Sequence, residues 1–189
     1  AARYMRLARQ DGIAGEIEAL LLEECLRIIR DSAHVERAAP LFINIGGATL
    51  KNIVFMKKLL QFLSGSRHLA PRLVFEIQSG QFKDLQPALL EILRGLGKLG
   101  CAVSLDNVET LALDVAELQR FHVRFVKIAA SALMPYTRND KSRAEVMRQK
   151  RKLESNGIGV IVGKIEEERT LINLLDFDIL YGQGYLFGR

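Results

Sequence analysis

The chain contains 189 residues, of which 49% are hydrophobic, so it is long and apolar enough to bury one core. Its net charge of +5 at pH 7 suits a nucleotide, a nucleic acid or an acidic lipid surface as a partner. No apolar run approaches the roughly 18 residues of a membrane span, and the first residues lack the long apolar stretch of a signal peptide. We therefore expect one globular domain without a membrane span.

Hydrophobic periodicity predicts strands that alternate with helices along the whole chain. The first predicted elements are a helix over 13–29, a strand over 41–45, a turn at Gly46 and Gly47, a helix over 52–63, a strand over 73–77 and a helix over 85–99. The later ones are a strand over 102–106, a helix over 113–120, a strand over 124–128, a basic helix over 138–152, a strand over 159–162, a helix over 166–175 and a sixth strand with its turn over 179–187. Such alternation is typical of parallel βα units.

Four of the predicted strands carry a polar residue suited to phosphate or metal chemistry. These residues are Asn44, Glu76, Asp106 and Lys127, and they recur at intervals of about one βα unit. Parallel strands in a barrel would bring all four side chains to one rim, where barrel enzymes place their chemistry. We therefore predict an α/β fold of the TIM-barrel-like (β/α) type. Six units fall short of eight, so we expect a barrel that is incomplete at its N-terminus.

The cysteines indicate the cellular compartment, and the basic segment bears on nucleic-acid binding. Cys25 and Cys101 lack metal-type spacing, which favours two buried free thiols in a reducing compartment over a disulfide. We therefore expect a cytoplasmic protein. The basic segment over 138–152 has no interleaved aromatic residues, so it is a poor fit for a nucleic-acid groove. A solvated helix face is the favoured interpretation of that segment.

The C-terminal string QGYLFGR at 183–189 is similar to the closing motif of EAL domains, the phosphodiesterases that linearise cyclic di-GMP. Five further segments resemble motifs of that family in the family's order. They are FINIG at 42–46 (VNLS in the family), FEIQS at 75–79 (LEITE), LDNVET at 105–110 (LDDFGT), VKIA at 126–129 (LKID) and VGKIE at 162–166 (AEGVE). The resemblance covers essentially the whole chain and begins downstream of the EAL tripeptide. It implies one domain over 1–189 that is a piece of a larger protein.

The resemblance also implies a mechanism. In the family, two divalent ions bind a phosphate oxygen and activate a bridging water. By position, the metal ligands correspond to Asn44, Glu76 and Asp106, the catalytic lysine to Lys127, the polar residue near the water to Gln183, and the second Glu of AEGVE to Glu166.

Several positions depart from the family pattern. The second Asp of the family's DD pair is Asn107, the base Glu of AEGVE is Gly163, the Asp of LKID is Ala129, and the second Glu of LEITE is Ser79. The loop after the third strand is also altered, over 108–111. Loss of the base alone costs about two to four decades in rate. We therefore predict a degenerate, inactive hydrolase that needs no cofactor, with Mg²⁺ or Mn²⁺ used only if some activity remains.

Ligand binding is a separate expectation from cleavage. The residues expected to bind the nucleotide are Asn44, Glu76, Asp106, Asn107, Lys127, Lys164, Glu166, Gln183 and Phe187. Three alternatives stay open. Without metal, Glu76 and Asp106 could pair with Lys127. Lys164, in place of the family's Gly, could hold a phosphate or point to solvent. Phe187 and Tyr185 could stack on a guanine or pack in the core.

The favoured function is an inactive EAL domain that acts as a cyclic di-GMP receptor and signals through a protein partner, in motility, flagellar or polar assembly, or biofilm control of a bacterium. One alternative is an interaction scaffold whose vestigial site binds no nucleotide. A lesser alternative is residual phosphodiesterase activity. The resemblance allows a homodimer, although the loop after the third strand, through which active relatives commonly dimerise, is altered here. It also allows tethering to the membrane or cell pole through other parts of the protein. From the basic segment we expect no nucleic-acid partner.

Overall fold

The computed structural model describes residues 14–31 and 39–188. The strands are β1 (Leu41–Asn44), β2 (Leu73–Gln78), β3 (Ala102–Val108), β4 (Val123–Ala129), β5 (Gly159–Gly163) and β6 (Tyr181–Gly182). The α-helices are α1 (Ala14–Asp31), α2 (Gly47–Lys51), α3 (Ile53–Gly65), α4 (Ser79–Lys83), α5 (Pro87–Lys98), α6 (Val115–Arg120), α7 (Ala130–Leu133), α8 (Asp140–Ser155) and α9 (Glu168–Leu174). Short 3-10 helices cover Ala70–Arg72, Met134–Arg138, Leu175–Phe177 and Tyr185–Phe187. The strands follow one another in the sheet in sequence order.

The predicted alternation of strands and helices is confirmed over the described residues. Each of the first five predicted strands coincides with an observed one, because short buried apolar runs between turn residues are a strong strand signal. Residue 13, the predicted start of the first helix, lies outside the described residues. Within 14–31 and 39–188, none of the helices combines the length and the apolar character that crossing a bilayer requires.

The chain divides into two compact units, Ala1–Val103 and Ser104–Arg189, and the boundary falls inside β3. In the first unit β1 and β2 are parallel. Val74 and Phe75 of β2 point to opposite faces and are both buried, as is typical of a parallel strand that is covered on both faces. Helix α3 packs against α5 in this unit.

In the second unit β4, β5 and β6 are parallel. One face of this strand group forms the core, with Val126 and Ile128 of β4 and Val162 of β5 buried. Because successive side chains of a strand point to opposite faces, Lys127 and Ala129 lie on the other face, where both are half-buried. This second face carries the candidate site residue Lys127.

The sixth strand is much shorter than predicted. The sequence predicts a strand and its turn over 179–187, whereas β6 covers two residues and a 3-10 helix follows at Tyr185–Phe187. The strand ladder stops at the bond from Gln183 N to Val162 O, 2.8 Å long. Beyond it the chain turns onto the loop after β5, where Leu186 N donates to Ile165 O at 3.2 Å. Bonding to this loop replaces further strand pairing.

Two local expectations need correction. Gly46 and Gly47, predicted as a turn, cap and begin helix α2, since Gly46 is extended and its carbonyl accepts from Leu50 N at 3.0 Å. The basic segment of α8 is not solvated throughout. Lys150 is only 3% exposed, and its ammonium contacts Glu154 at 2.8 Å. The pairing satisfies a charge that would be costly to bury alone.

Both cysteines are free thiols, as predicted. Cys101 is buried, whereas Cys25 is half-buried rather than buried as expected. Burial raises the pKa of the Cys101 thiol to about 12. Burial also raises the pKa of Cys25, with a smaller contribution from the neighbouring Glu24 carboxylate. Both thiols therefore stay protonated at neutral pH.

Candidate functional site

In the first unit, Asn44 and Glu76 are paired at the carboxyl ends of β1 and β2. Ile45 N donates to Glu76 O at 2.9 Å and extends the ladder by one residue. Paired residues of parallel strands point to the same face, with their strands roughly 4.8 Å apart. Glu76 is buried (6% exposed), whereas Asn44 is exposed. An amide and a carboxylate therefore lie side by side near the carboxyl ends of two neighbouring strands.

In the second unit, β4 and β5 are in register with Lys127 opposite Ile161 and Ala129 opposite Gly163. Ala129 and Gly163 are the last residues of their strands. A Cβ added to Gly163 would have its nearest neighbour, Ile128 O, at 4.0 Å. The strand ends therefore carry no carboxylate at this level, and the space in front of Gly163 is open.

The carboxyl end of β3 is built around a left-handed residue. Asn107 has φ 56°, and its N–H donates to Asp106 Oδ1 at 2.8 Å. Asn is one of the few residues that enter this region at low cost, because its short side chain bonds locally. The Asn107 side chain is exposed, whereas Asp106 is half-buried.

Lys164 follows β5 directly and also has a left-handed backbone, with φ 60°. This conformation costs about 1–2 kcal/mol for a residue with a Cβ atom, and glycine escapes that cost. The Lys164 ammonium donates to Asn107 Oδ1 at 3.3 Å, across 57 residues of sequence. Lys164 is exposed, but it does not simply point to solvent. The structure thereby joins two left-handed residues through one polar contact.

The segment Gln183–Gly184 is fixed against the loop that follows β5. Ile165 N donates to Gln183 O at 3.1 Å, and Gln183 N donates to Val162 O. A Cβ on Gly184 would lie 1.9 Å from Ile165 O, which is far inside contact distance. Only glycine fits there. The exposed Gln183 side chain is held beside the Lys164 loop by these backbone bonds.

The structure corrects the placement of one other residue of the second unit and decides an open alternative for two more. Glu166, predicted as the first residue of a helix, lies in the loop before α9, which begins at Glu168. Tyr185 and Phe187 are exposed (71% and 56%), so packing in the core is wrong for both rings. Phe187 lies close to Gly182, where an added Cβ would meet the ring at 3.2 Å. Its outer face is accessible to a planar ligand.

The altered loop after β3 is ordered by its own side chains. Leu111 is buried (4% exposed), Thr110 Oγ1 accepts from Ala112 N at 3.1 Å, and Asp114 caps α6 by accepting from Ala116 N at 2.9 Å. These bonds give the loop a defined shape without the glycines of the family's FGTG sequence.

The donor set of the second unit does not fit a divalent ion. Magnesium and manganese prefer carboxylate ligands. Asp106 keeps its carboxylate, but Asn107 supplies an amide in place of a second one and Ala129 supplies nothing. The Lys164 ammonium lies at the Asn107 oxygen, where a positive charge repels a cation. Within 14–31 and 39–188, no three His, Cys, Asp or Glu side chains are arranged to hold a metal.

The structure thus brings together Asn44 with Glu76, and Asn107 with Lys164, among the residues predicted to bind ligand. The Lys164–Asn107 contact was not predicted, although both residues differ from the family pattern, and paired departures in two motifs are the signal that could have suggested it. The close approach of Gly184 to the Ile165 backbone was also not predicted, because residue types alone do not reveal it.

Comparisons with known proteins agree with this architecture. A cyclic di-GMP phosphodiesterase, PdeF of Escherichia coli (strain K12), is 23% identical over 193 residues, covering 98% of this chain and 25% of that protein. The chain thus spans about a quarter of the length of the curated relatives it matches.

Among solved structures, the Xanthomonas citri FimX EAL domain in complex with c-diGMP has a TM-score of 0.78 at 15% identity and covers 100% of this chain and 74% of that one. The Klebsiella pneumoniae BlrP1 manganese/cy-diGMP complex has a TM-score of 0.69 at 18% identity, with 93% and 45% coverage. These likenesses confirm the predicted TIM-barrel-like fold. The family model described as EAL domain matches residues 1–189. The chain therefore belongs to the EAL domain family.

Proposed function

We propose that this chain is a cyclic di-GMP receptor that binds the nucleotide without hydrolysing it. The observation that carries the proposal is the register pair of Ala129 and Gly163 at the ends of β4 and β5. Active members of the family have carboxylates at these two positions, one of them the base. With neither present, no group at this level can take a proton from water.

Binding the nucleotide requires fewer functional groups than cleaving it does. Lys127 is retained, is half-buried and lies on the same face of β4 as Ala129. A partly desolvated ammonium is well suited to a phosphodiester, because charge-assisted hydrogen bonds are roughly twice as strong as neutral ones. The exposed face of Phe187 suits a guanine ring, which stacks on aromatic side chains. In the second unit we assign ligand contacts to Asp106, Asn107, Lys127, Lys164, Glu166, Gln183 and Phe187, and in the first unit we propose Asn44 and Glu76 as ligand-binding residues.

Two further observations support this function. The FimX EAL domain, which shares the fold, forms a complex with c-diGMP. The second unit keeps polar side chains but has fewer metal-ligating carboxylates than the family pattern. A site of this kind keeps affinity for the nucleotide while it loses catalytic activity. We further propose that binding is passed to a protein partner through the ordered loop at 108–114, in a cytoplasmic protein whose free thiols suit a reducing compartment.

Titration calorimetry with cyclic di-GMP tests the proposal. We expect saturable binding in the micromolar range and no linear product after long incubation with Mg²⁺ or Mn²⁺. Lys127→Met should weaken binding at least about tenfold, as the loss of one charged hydrogen bond predicts. Lys152→Met is the matched control.

Lys152 is exposed in the last turn of α8, the helix that leads into the start of β5 and so ends at the opposite sheet edge. Its substitution removes the same charge and should leave affinity unchanged. Absence of heat at tens of micromolar nucleotide would instead favour an interaction scaffold. Accumulation of linear product would favour residual phosphodiesterase activity.

A further inference from the structure

The contact between Lys164 and Asn107 is not explained by local stability alone. Lys164 keeps a left-handed backbone that glycine would adopt freely, and its ammonium is held at the oxygen of a second left-handed residue. The hydrogen bond is exposed and 3.3 Å long, so it is too weak to explain a lysine at this position by stability. A role in ligand binding gives the position a physical reason.

Several charged residues of the family pattern are replaced in the same unit as this contact. In the second unit, relative to the family pattern, three carboxylates are replaced by the uncharged residues Asn107, Ala129 and Gly163, and one ammonium is added at Lys164. The fixed charge therefore becomes more positive by four units, which equals the charge of two divalent cations. An anionic ligand would meet the same total charge with no metal bound.

From this we infer that Lys164 takes the place of a divalent cation and makes the rim of the second unit a metal-independent site for a phosphodiester. The Asn107 oxygen accepts one of the three ammonium hydrogens and orients the group, which leaves two for the ligand's phosphate oxygens. The identity of the ligand as a cyclic dinucleotide rests on the proposed function. The exclusion of metal by Lys164 does not.

Manganese binding, followed by electron paramagnetic resonance of the 189-residue chain, tests the exclusion directly. Two variants form a matched pair: Asn107→Asp with Ala129→Asp, and the same two changes with Lys164→Gly. Both restore carboxylates at the ends of β3 and β4, and they differ only in the lysine. We expect no manganese binding at millimolar metal in the wild type and at least about tenfold tighter binding when Lys164 is removed from the variant, since an ammonium close to the ion repels it.

Each outcome decides the inference. Manganese binding by the wild type, equal binding by the two variants, or no binding by either would overturn it. Circular dichroism checks that both variants fold, and the wild-type measurement needs no variant at all.

A second experiment compares the affinity of the chain for fluorescent cyclic di-GMP in EDTA with its affinity in magnesium. We expect the two affinities to agree within about twofold, and Lys164→Met to weaken binding about tenfold or more while Lys164→Arg keeps most of it. A requirement for magnesium would overturn the inference. If the wild type binds no nucleotide under either condition, the proposed function fails, whereas the manganese comparison still decides the role of Lys164.

Discussion

Ala129 and Gly163 face each other as the last paired residues of β4 and β5, and neither has a side chain that can hold a metal or move a proton. The register is fixed by the parallel ladder from Phe125 opposite Gly159 onward. Both positions lie at the strand ends where barrel enzymes carry their reactive groups. This pair is the structural basis of our proposal that the domain binds the nucleotide without cleaving it.

The open space at Gly163 makes it a tolerant position. An added Cβ would have its nearest neighbour at 4.0 Å, so Gly163→Ala should leave the free energy of unfolding unchanged or raise it by up to about 1 kcal/mol, because glycine loses more backbone entropy on folding. Urea unfolding measures the change. A clear loss of stability would instead mean that the strand end has no room for an added methyl group.

Gly184 is the contrasting position. A Cβ there would overlap Ile165 O at 1.9 Å, so Gly184→Ala must displace one of the two backbone segments. We expect a loss of about 1–3 kcal/mol in the free energy of unfolding, as for other overpacked sites. Nucleotide binding should weaken as well, since Gln183 is held by the same contacts. Equal stability of Gly184→Ala and Gly163→Ala would contradict the close packing of Gly184 against Ile165.

Backbone strain at Lys164 predicts an order of stability among its variants. Lys164→Gly relieves the left-handed strain, whereas Lys164→Ala keeps the strain, and both lose the bond to Asn107. We therefore expect Lys164→Gly to be more stable than Lys164→Ala by about 1 kcal/mol. Chemical unfolding of the two variants under one condition provides the comparison. The reverse order would show that the residue is not strained.

The Cys101 thiol offers a prediction about pH. Burial raises its pKa from the usual value of 9.0 to about 12. Because the folded pKa lies above the unfolded one, its contribution to stability is complete below pH 9 and is lost as the pH rises towards 12. The thiolate is the reactive form. In Cys25→Ser, iodoacetamide at pH 8 should therefore modify Cys101 only as fast as the protein unfolds. Modification as fast as that of a free cysteine would contradict this environment.

The sequence predicted the fold well because buried strands such as β2 are continuous apolar runs between turn residues. It predicted the first five strands to within two residues at each end and placed Asn44 and Glu76 on one rim, but it did not specify that these two residues are paired. It did not predict the short β6, because the bonds of Ile165 to Gln183 and Leu186 come from tertiary contacts. Likewise the Lys164–Asn107 contact depends on two left-handed φ angles that residue types alone do not specify.

Equilibrium dialysis of radiolabelled cyclic di-GMP against the chain, with manganese present, tests the central claim most directly. The bound nucleotide is released and separated by chromatography after an incubation of many hours. We predict that label is retained in proportion to protein and recovered as the intact cyclic dinucleotide. Label that is not retained, or that is recovered as the linear form, would contradict the claim that this domain binds the nucleotide without cleaving it.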